Sequence, residues 1–540
     1  MKILFLAGIL SFATANLYAQ PATKLQNMDY RNLFERAARE NDSISGEVNY
    51  SMLPYYPASA TLNFDSILNS NFEIRNPKKT FWARTFRFGN MLEYVNPEHK
   101  AVVTLNPVFD ISYGKESGNT VYQNSKGVQL DATIGKITVS SSIYEVVSKF
   151  PSYMRAYSDS LLVVPGMGRS RVQSDNSVNY SLPSGYVGYR PNNTFYFELG
   201  NDKNFIGSGY RSLLLSDFAY SYPYFKIITD LGKLKYTNIW AQFVDASNKQ
   251  NWADFNDVKK KYGVFNYLTY TVVKKLELSL FQSIIWRSRD STGALPINFA
   301  YFVPVMYLNT VNFNMGSPDN NVIGMDVNYQ IKKHTVVYGQ LVIDDFNISK
   351  FFKGGKFSGY LQEKYGIQVG AKFFDAFGAK DLFVQTEFNT VRPYVYDEKV
   401  PAINYTHYNE ALAHPLGANF RELIVKGTYR MKRWFVNGEF LVARYGSDTA
   451  NSHWGRNIYE NENDAQLGIY SYNNKTGQGV KTDLTFATIG VNYLMNPMTN
   501  SRFTFQFTHR NENISGISNK TSNYFTLGFS TNLINTYRDF

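Results

Sequence analysis

The pattern of apolar and polar positions is clearest near the end of the chain. From Arg502 to Asn511 it reads RFTFQFTHRN, with Phe503, Phe505 and Phe507 alternating against Thr504, Gln506, Thr508 and Arg510. Residues 420–431 repeat this, setting Leu423, Val425, Tyr429 and Met431 against Glu422, Lys426, Thr428 and Arg430. A period of two predicts extended strands, and a charged stripe opposite an apolar one suits a wall between lipid and water. Similar windows fall at 334–345, 364–374, 380–390, 433–443, 484–494 and 522–533.

The spacing of the turns adds the architecture. Beyond residue 222, tight turns at Gly232-Lys233, Lys274-Lys275, Lys332-Lys333, 376–380, Lys432-Arg433 and 496–500 alternate with longer connections. Those lie at 246–262, 287–298, 346–363, 391–419, 446–482 and 511–521. Barrels of the outer membrane sort their connections in this way, short toward the periplasm and long outside. The expected fold is all-β: a transmembrane antiparallel β-barrel of about 18 strands with a short N-terminal helical periplasmic extension. The helix is read at Met28–Glu40, where Tyr30, Leu33, Phe34 and Ala37 share one face, packed on the periplasmic rim or inserted as a plug. The final Phe540 resembles the terminal aromatic of barrel-assembly substrates, although Arg538 breaks the strand parity.

The first residues, MKILFLAGILSFATANLYAQ, read as a signal peptide over 1–19. The expected divisions are then an N-terminal extension over 20–79 and the barrel over 80–540. The chain has 41 Tyr, 41 Phe and no Cys, and a formal net charge of +11. The aromatics suit interfacial girdles, and the missing cysteines exclude disulfide scaffolds and thiolate chemistry. The positive balance points to anionic lipid or acidic polysaccharide, export setting nucleic acid aside.

Catalytic and metal motifs are weak. Gly166-Met167-Gly168 and Gly207-Ser208-Gly209 lack the Gly-Lys-Ser/Thr continuation of a phosphate loop, and no G-x-S-x-G occurs. His407 and His414 read as loop caps rather than metal ligands, and Asp344-Asp345 as solvated acids. The expectation is a protein that is not an enzyme, with no metal and no cofactor. The loops are rich in Tyr, Trp, Asn and basic residues, an inventory that suits sugars and equally suits ordinary barrel loops.

The segment NFIGSGYRSLLLSDFAYSYPYFKI, Asn204 to Ile227, resembles the Wzi-like capsule assembly proteins, and more closely their Bacteroidetes branch with its gliding-motility, RemB-type members. The stretches beginning at Tyr301 and Tyr405 agree, so that the resemblance covers about 195–445. It implies an eighteen-stranded outer-membrane barrel and, by analogy, binding of capsular or exopolysaccharide at the cell surface. Its other members imply motility or adhesion through motility or secretion proteins, and a diffusion channel is a third reading. Outer-membrane lipid is a partner in every case.

Turn order places 201–220 on the extracellular side or folded into the barrel mouth. Gly207 and Gly209 are read as shaping that loop at the outer rim. Tyr210, Arg211, Asp217, Tyr222 and Tyr224 are the candidate ligand contacts. The alternative is that Arg211 and Asp217 pair inside the lumen and pin the loop.

Overall fold

The computed structural model describes residues 27–41, 48–55, 64–72, 80–81, 84–245, 258–290, 292–295, 299–306, 319–346, 359–449, 452–462, 471–531 and 535–540. Eighteen antiparallel strands close into one barrel. They are β1 Ala101–Glu116, β2 Asn119–Ile134, β3 Ile137–Lys149, β4 Val178–Tyr189, β5 Phe195–Asp202 and β6 Tyr222–Asp230. Next come β7 Leu234–Val244, β8 Lys260–Val273, β9 Leu276–Arg287, β10 Asn320–Lys332, β11 Thr335–Phe346 and β12 Glu363–Phe373. The ring is completed by β13 Leu382–Val391, β14 Phe420–Met431, β15 Trp434–Ser447, β16 Val480–Asn496, β17 Ser501–Ile514 and β18 Ser518–Thr531. Each pairs with its neighbour in sequence, and β18 returns to β1 with Phe529 opposite Ile111. Closure leaves no open sheet edge in the ring, which lipid would otherwise leave unpaired.

Side-chain alternation divides the two faces. Phe503, Phe505 and Phe507 are 51%, 45% and 42% exposed, while Thr508 between strands of the same wall is fully buried. Ile143, Leu199, Val369 and Leu527 also point outward, whereas Glu198, Lys226, Gln282, Asp326, Gln368 and Glu387 are buried. An apolar outer face over a polar inner one makes the chain an integral barrel of the outer membrane. No helix among the described residues is long and apolar enough to cross a membrane.

The connections are less strictly sorted by length than the sequence predicts. β17 and β18 run on to Ile514 and from Ser518, so the expected loop at 511–521 is a tight turn, with Gly516 at φ 74°. Continuous pairing of polar residues such as Asn513 with Asn519 carries the hairpin beyond the apolar band.

The lumen is packed with chain. α1 (Met28–Glu40) begins at Asn27, whose side chain accepts the N–H groups of Asp29 and Tyr30, an N-cap that satisfies two donors the helix leaves open. It lies inside the lower end rather than on the rim. Tyr30, Phe34 and Ala38 are buried, and so are Asp29, Glu35 and Arg39. Those charges meet the inner wall: Lys372 Nζ lies 2.8 Å from Glu35, Arg502 2.6 Å from Asp29, and Arg39 donates to Asn328 at 2.9 Å. A helix resting on the rim would keep them in water. Inside the barrel each needs a partner, and wall residues supply it. α2 (Phe64–Phe72) packs its Leu68 and Phe72 into the same lower cluster as Phe435 and Leu494. A third helix, α3 (Ser152–Leu161), stands at the upper end between β3 and β4.

Candidate functional site: the folded-in loop and the mouth

The loop between β5 and β6 turns down into the lumen instead of resting at the outer rim. Phe205-Ile206 pairs antiparallel with Met52-Leu53, and the Gly207 N–H donates to Ser51 at 2.7 Å. The expected rim position of Gly207 and Gly209 is therefore corrected to a depth near the N-terminal segment. Gly207 has φ 152°, and a Cβ there would meet Gln340 Nε2 at 2.4 Å. A Cβ on Gly209 would meet Glu387 Oε2 at 2.4 Å. Both glycines let the chain pass against polar wall residues, an approach that only the missing side chain permits.

Leu213, Leu214 and Leu215 form the centre of the upper core with Phe218, Phe243, Phe265 and Leu412. Gly324 in β10 makes room for them, since a Cβ there would come within 2.4 Å of Leu214. The long connection after β13 folds in from the other side. Tyr396 and Tyr405 donate their hydroxyls to the carbonyls of Leu213 and Leu214 at 2.7 and 2.6 Å, and Ser216 N–H reaches Leu412 at 2.8 Å.

Four of the five candidate contacts, Tyr210, Arg211, Tyr222 and Tyr224, are 4% exposed or less, and Asp217 is half-buried. Arg211 does not pair with Asp217. Its guanidinium lies 2.9 Å from Asp539 and 3.5 Å from Glu422, beside the adjoining rings of Tyr210 and Tyr537. Asp217 instead accepts the Tyr537 hydroxyl, and Tyr224 donates to Glu198 at 2.6 Å. The segment 535–540 supplies these partners because it turns back into the barrel after β18. Phe540 is thus not a strand-end aromatic: its ring lies 4.7 Å from that of Tyr157 and 6.0 Å from that of Phe218.

The two histidines considered together face different ways. His414 pairs with Glu422 at 2.8 Å, while His407 Nδ1 accepts the Val244 N–H at 3.0 Å. Burial pushes the His407 imidazole down to about 3, so it is a neutral ring. Asp344 accepts the Tyr396 N–H at 2.6 Å and serves the same loop packing.

At the top of this assembly one feature faces outward. Tyr220 and Tyr408, both half-buried, place their ring centroids 5.1 Å apart at 47°. Tyr220 stacks over His407 at 6.4 Å and 16°. Glu410, wholly buried, accepts the N–H of Tyr220 at 3.0 Å and of Gly166 at 2.6 Å, tying the loop to the short hairpin Val163–Val164/Gly168–Arg169. Arg169 ends that short hairpin, and the exposed Arg171 pairs with Asn179 at the top of β4. Sequence reading passed over Tyr220 and Tyr408 because nothing local distinguishes them from their tyrosine neighbours.

The fold is shared with Wzi. That Escherichia coli outer-membrane protein, described as involved in group 1 capsule assembly and as a carbohydrate-binding β-barrel, superposes with a TM-score of 0.53 at 12% identity, over 93% of this chain and 98% of its own. OprD of Pseudomonas aeruginosa gives a TM-score of 0.42 at 10% identity over 79% of this chain and 94% of its own. OccAB2 of Acinetobacter baumannii gives 0.42 at 10% identity over 79% and 96%. No protein-family model matches the sequence, and no curated protein matches it.

Proposed function

We propose that this outer-membrane barrel is a non-enzymatic surface protein that binds or organises capsular or exopolysaccharide. The observation that carries the reading is the combination of a lumen filled by its own chain with an aromatic and basic surface at the outer mouth. A filled lumen does not favour the diffusion-channel reading, and the partly exposed rings with Arg169 and Arg171 on the neighbouring segment suit stacking and charge contacts with sugars. The fold shared with Wzi, itself a carbohydrate-binding barrel, supports the same reading. On this view 1–19 is an export signal, and the stretches from Asn204, Tyr301 and Tyr405 align the chain with the Bacteroidetes branch of Wzi-like proteins.

Deleting the gene tests the reading at the level of the cell. Polysaccharide should pass from the cell surface into the medium, with growth and membrane integrity intact. Cell-bound polysaccharide left unchanged, together with a spreading defect, would point instead to the motility or adhesion role.

A further inference from the structure

The aromatic pair at the mouth is held by more structure than a barrel rim requires. Tyr408 and Asn409 are the two corner residues between Thr406–His407 and Glu410–Ala411, at φ 55° and 60°. A turn of that hand takes Asn, Asp or Gly, because a larger side chain crowds the backbone when φ is positive. Asn409 obeys the rule and Tyr408 breaks it. The Tyr408 ring packs against those of Tyr220 and His407 while staying half-buried at the hairpin tip, so a residue unfavourable in the turn is kept together with these ring contacts.

The second ring is equally fixed. Tyr220 lies flat against the Gly168 backbone, where a Cβ would come within 2.8 Å of the ring. Its N–H is held by Glu410, and the neutral His407 ring supports it from beneath. The hairpin carrying Tyr408 is braced in turn, since Asn409 donates to Leu161 at 2.8 Å and the Tyr459 hydroxyl donates to the Asn409 carbonyl at 2.6 Å. Arg169 follows Gly168 directly, and Arg171 pairs with the top of β4.

We propose that Tyr220 and Tyr408, flanked by Arg169 and Arg171, are the contact site for an acidic sugar residue of a surface polysaccharide, and that Glu410 is the positioning residue which holds both sides of that site. The proposal rests on the polysaccharide reading and specifies its ligand class. A pyranose ring offers an apolar face to the tyrosines, and a uronate carboxylate offers two oxygens to a guanidinium fork. Tyr220 and Glu410 come from segments 190 residues apart, so the site exists only when the loop after β5 and the loop after β13 are folded together.

The test uses the full-length protein in lipid nanodiscs. The probes are oligogalacturonate, oligomannuronate and hyaluronan fragments, against neutral maltodextrin of matched length, read by calorimetry. At least one uronate probe should bind the wild type more tightly than maltodextrin. Tyr408→Asn and the pair Arg169→Ala/Arg171→Ala should each weaken it by at least about tenfold. Tyr408→Phe should retain most of the binding. Tyr408→Asn relaxes the turn but gives up the ring contacts with Tyr220 and His407, so its resistance to heat in detergent is compared with the wild type to separate lost binding from lost folding. Glu410→Gln, which keeps one acceptor oxygen and turns the other into a donor facing an N–H group, should bind less well than the wild type and better than Glu410→Ala. Uronate binding left intact in Tyr408→Asn and Arg169→Ala/Arg171→Ala overturns the site while the polysaccharide reading stands. Equal binding of maltodextrin overturns the acidic class. A wild type that binds no glycan, from cells whose polysaccharide is unaffected by deletion, removes the reading on which the proposal rests.

Discussion

Arg211 shows how the interior of this barrel is held. The side chain is fully buried, with one terminal nitrogen on Asp539, the adjoining rings of Tyr210 and Tyr537 about 5 Å away, and Glu422 at 3.5 Å. Glu387 accepts the backbone N–H groups of Tyr210 and Arg211 at 2.7 and 3.1 Å, fixing the chain at that point. Removing the cation leaves Asp539 without its ion-pair partner, while Glu422 keeps His414, and breaking such a buried pair costs about 3–5 kcal/mol. Arg211→Met should therefore lower the temperature at which the heat-resistant gel band is lost. Arg211→Lys should lower it less, because a charge is kept while the stacked planar contact is lost. Arg211→Met combined with Asp539→Leu should cost less than the sum of the two single changes, since the orphaned charge is gone. None of this pairing was legible beforehand. Arg211 and Asp217 lie close in sequence and carry opposite charge, so local reading joins them, yet the partner chosen is 328 residues away. A contact of that range has no signature in spacing.

At the scale of elements, the wall strands were legible and the folded-in segments were not. A strand in the wall faces lipid on one side and the lumen on the other, so its sequence must alternate, and Phe503 to Phe507 do so. α1 also carries its own signal, an apolar stripe, with bounds matching the reading at Met28–Glu40. Its position did not follow, because the stripe names the apolar face and is silent about Glu35 and Arg39. The outer loops are joined by a buried clamp that belongs to this scale. His453, on the connection after β15, lies 2.6 Å from Asp397 on the connection after β13 and 3.7 Å from Asp448. Burial alone would lower its pKa, but the hydrogen bonds and charges of Asp397 and Asp448 prevail and push it up to about 9. A cation favoured in the folded state contributes its full stability below the unfolded value near 6.5 and loses it as pH rises through about 9. Cleavage by proteinase K in 392–404 and 452–462 should thus increase between pH 7 and pH 10. His453→Gln should show more cleavage at pH 7 and little further change with pH. Equal pH dependence in both proteins would mean that another group controls these loops.

For the whole molecule the question is what an 18-stranded ring does with its interior. A barrel this wide can leave an aqueous passage. Among the described residues α1, the segment 48–55, the loops after β5 and β13 and the segment 535–540 fill much of it, and a cavity of about 330 Å³ lies between them. Its lining sets Asp110, Gln123, Arg502 and Arg538 beside Val108, Phe150, Met154 and Leu182, so it is polar and apolar in about equal parts. The segment 535–540 forms part of that lining and also secures the loop after β5 through Tyr537 and Asp539. Both tasks fall to residues after the last strand, so removing them disturbs the filling while sparing every inter-strand hydrogen bond of the ring. Wild-type protein in planar bilayers should show little steady current. Deletion of 535–540 should leave a barrel that still shifts on heating in gels but passes ions, with the current growing in proportion to salt. Tyr537→Ala/Phe540→Ala gives the same comparison without shortening the chain and should conduct to a smaller degree. Large steady currents from the wild type would mean that the filling moves aside on its own. The outer-mouth site would then have to be judged together with a channel, because a loop that leaves the lumen carries Tyr220 away from Tyr408.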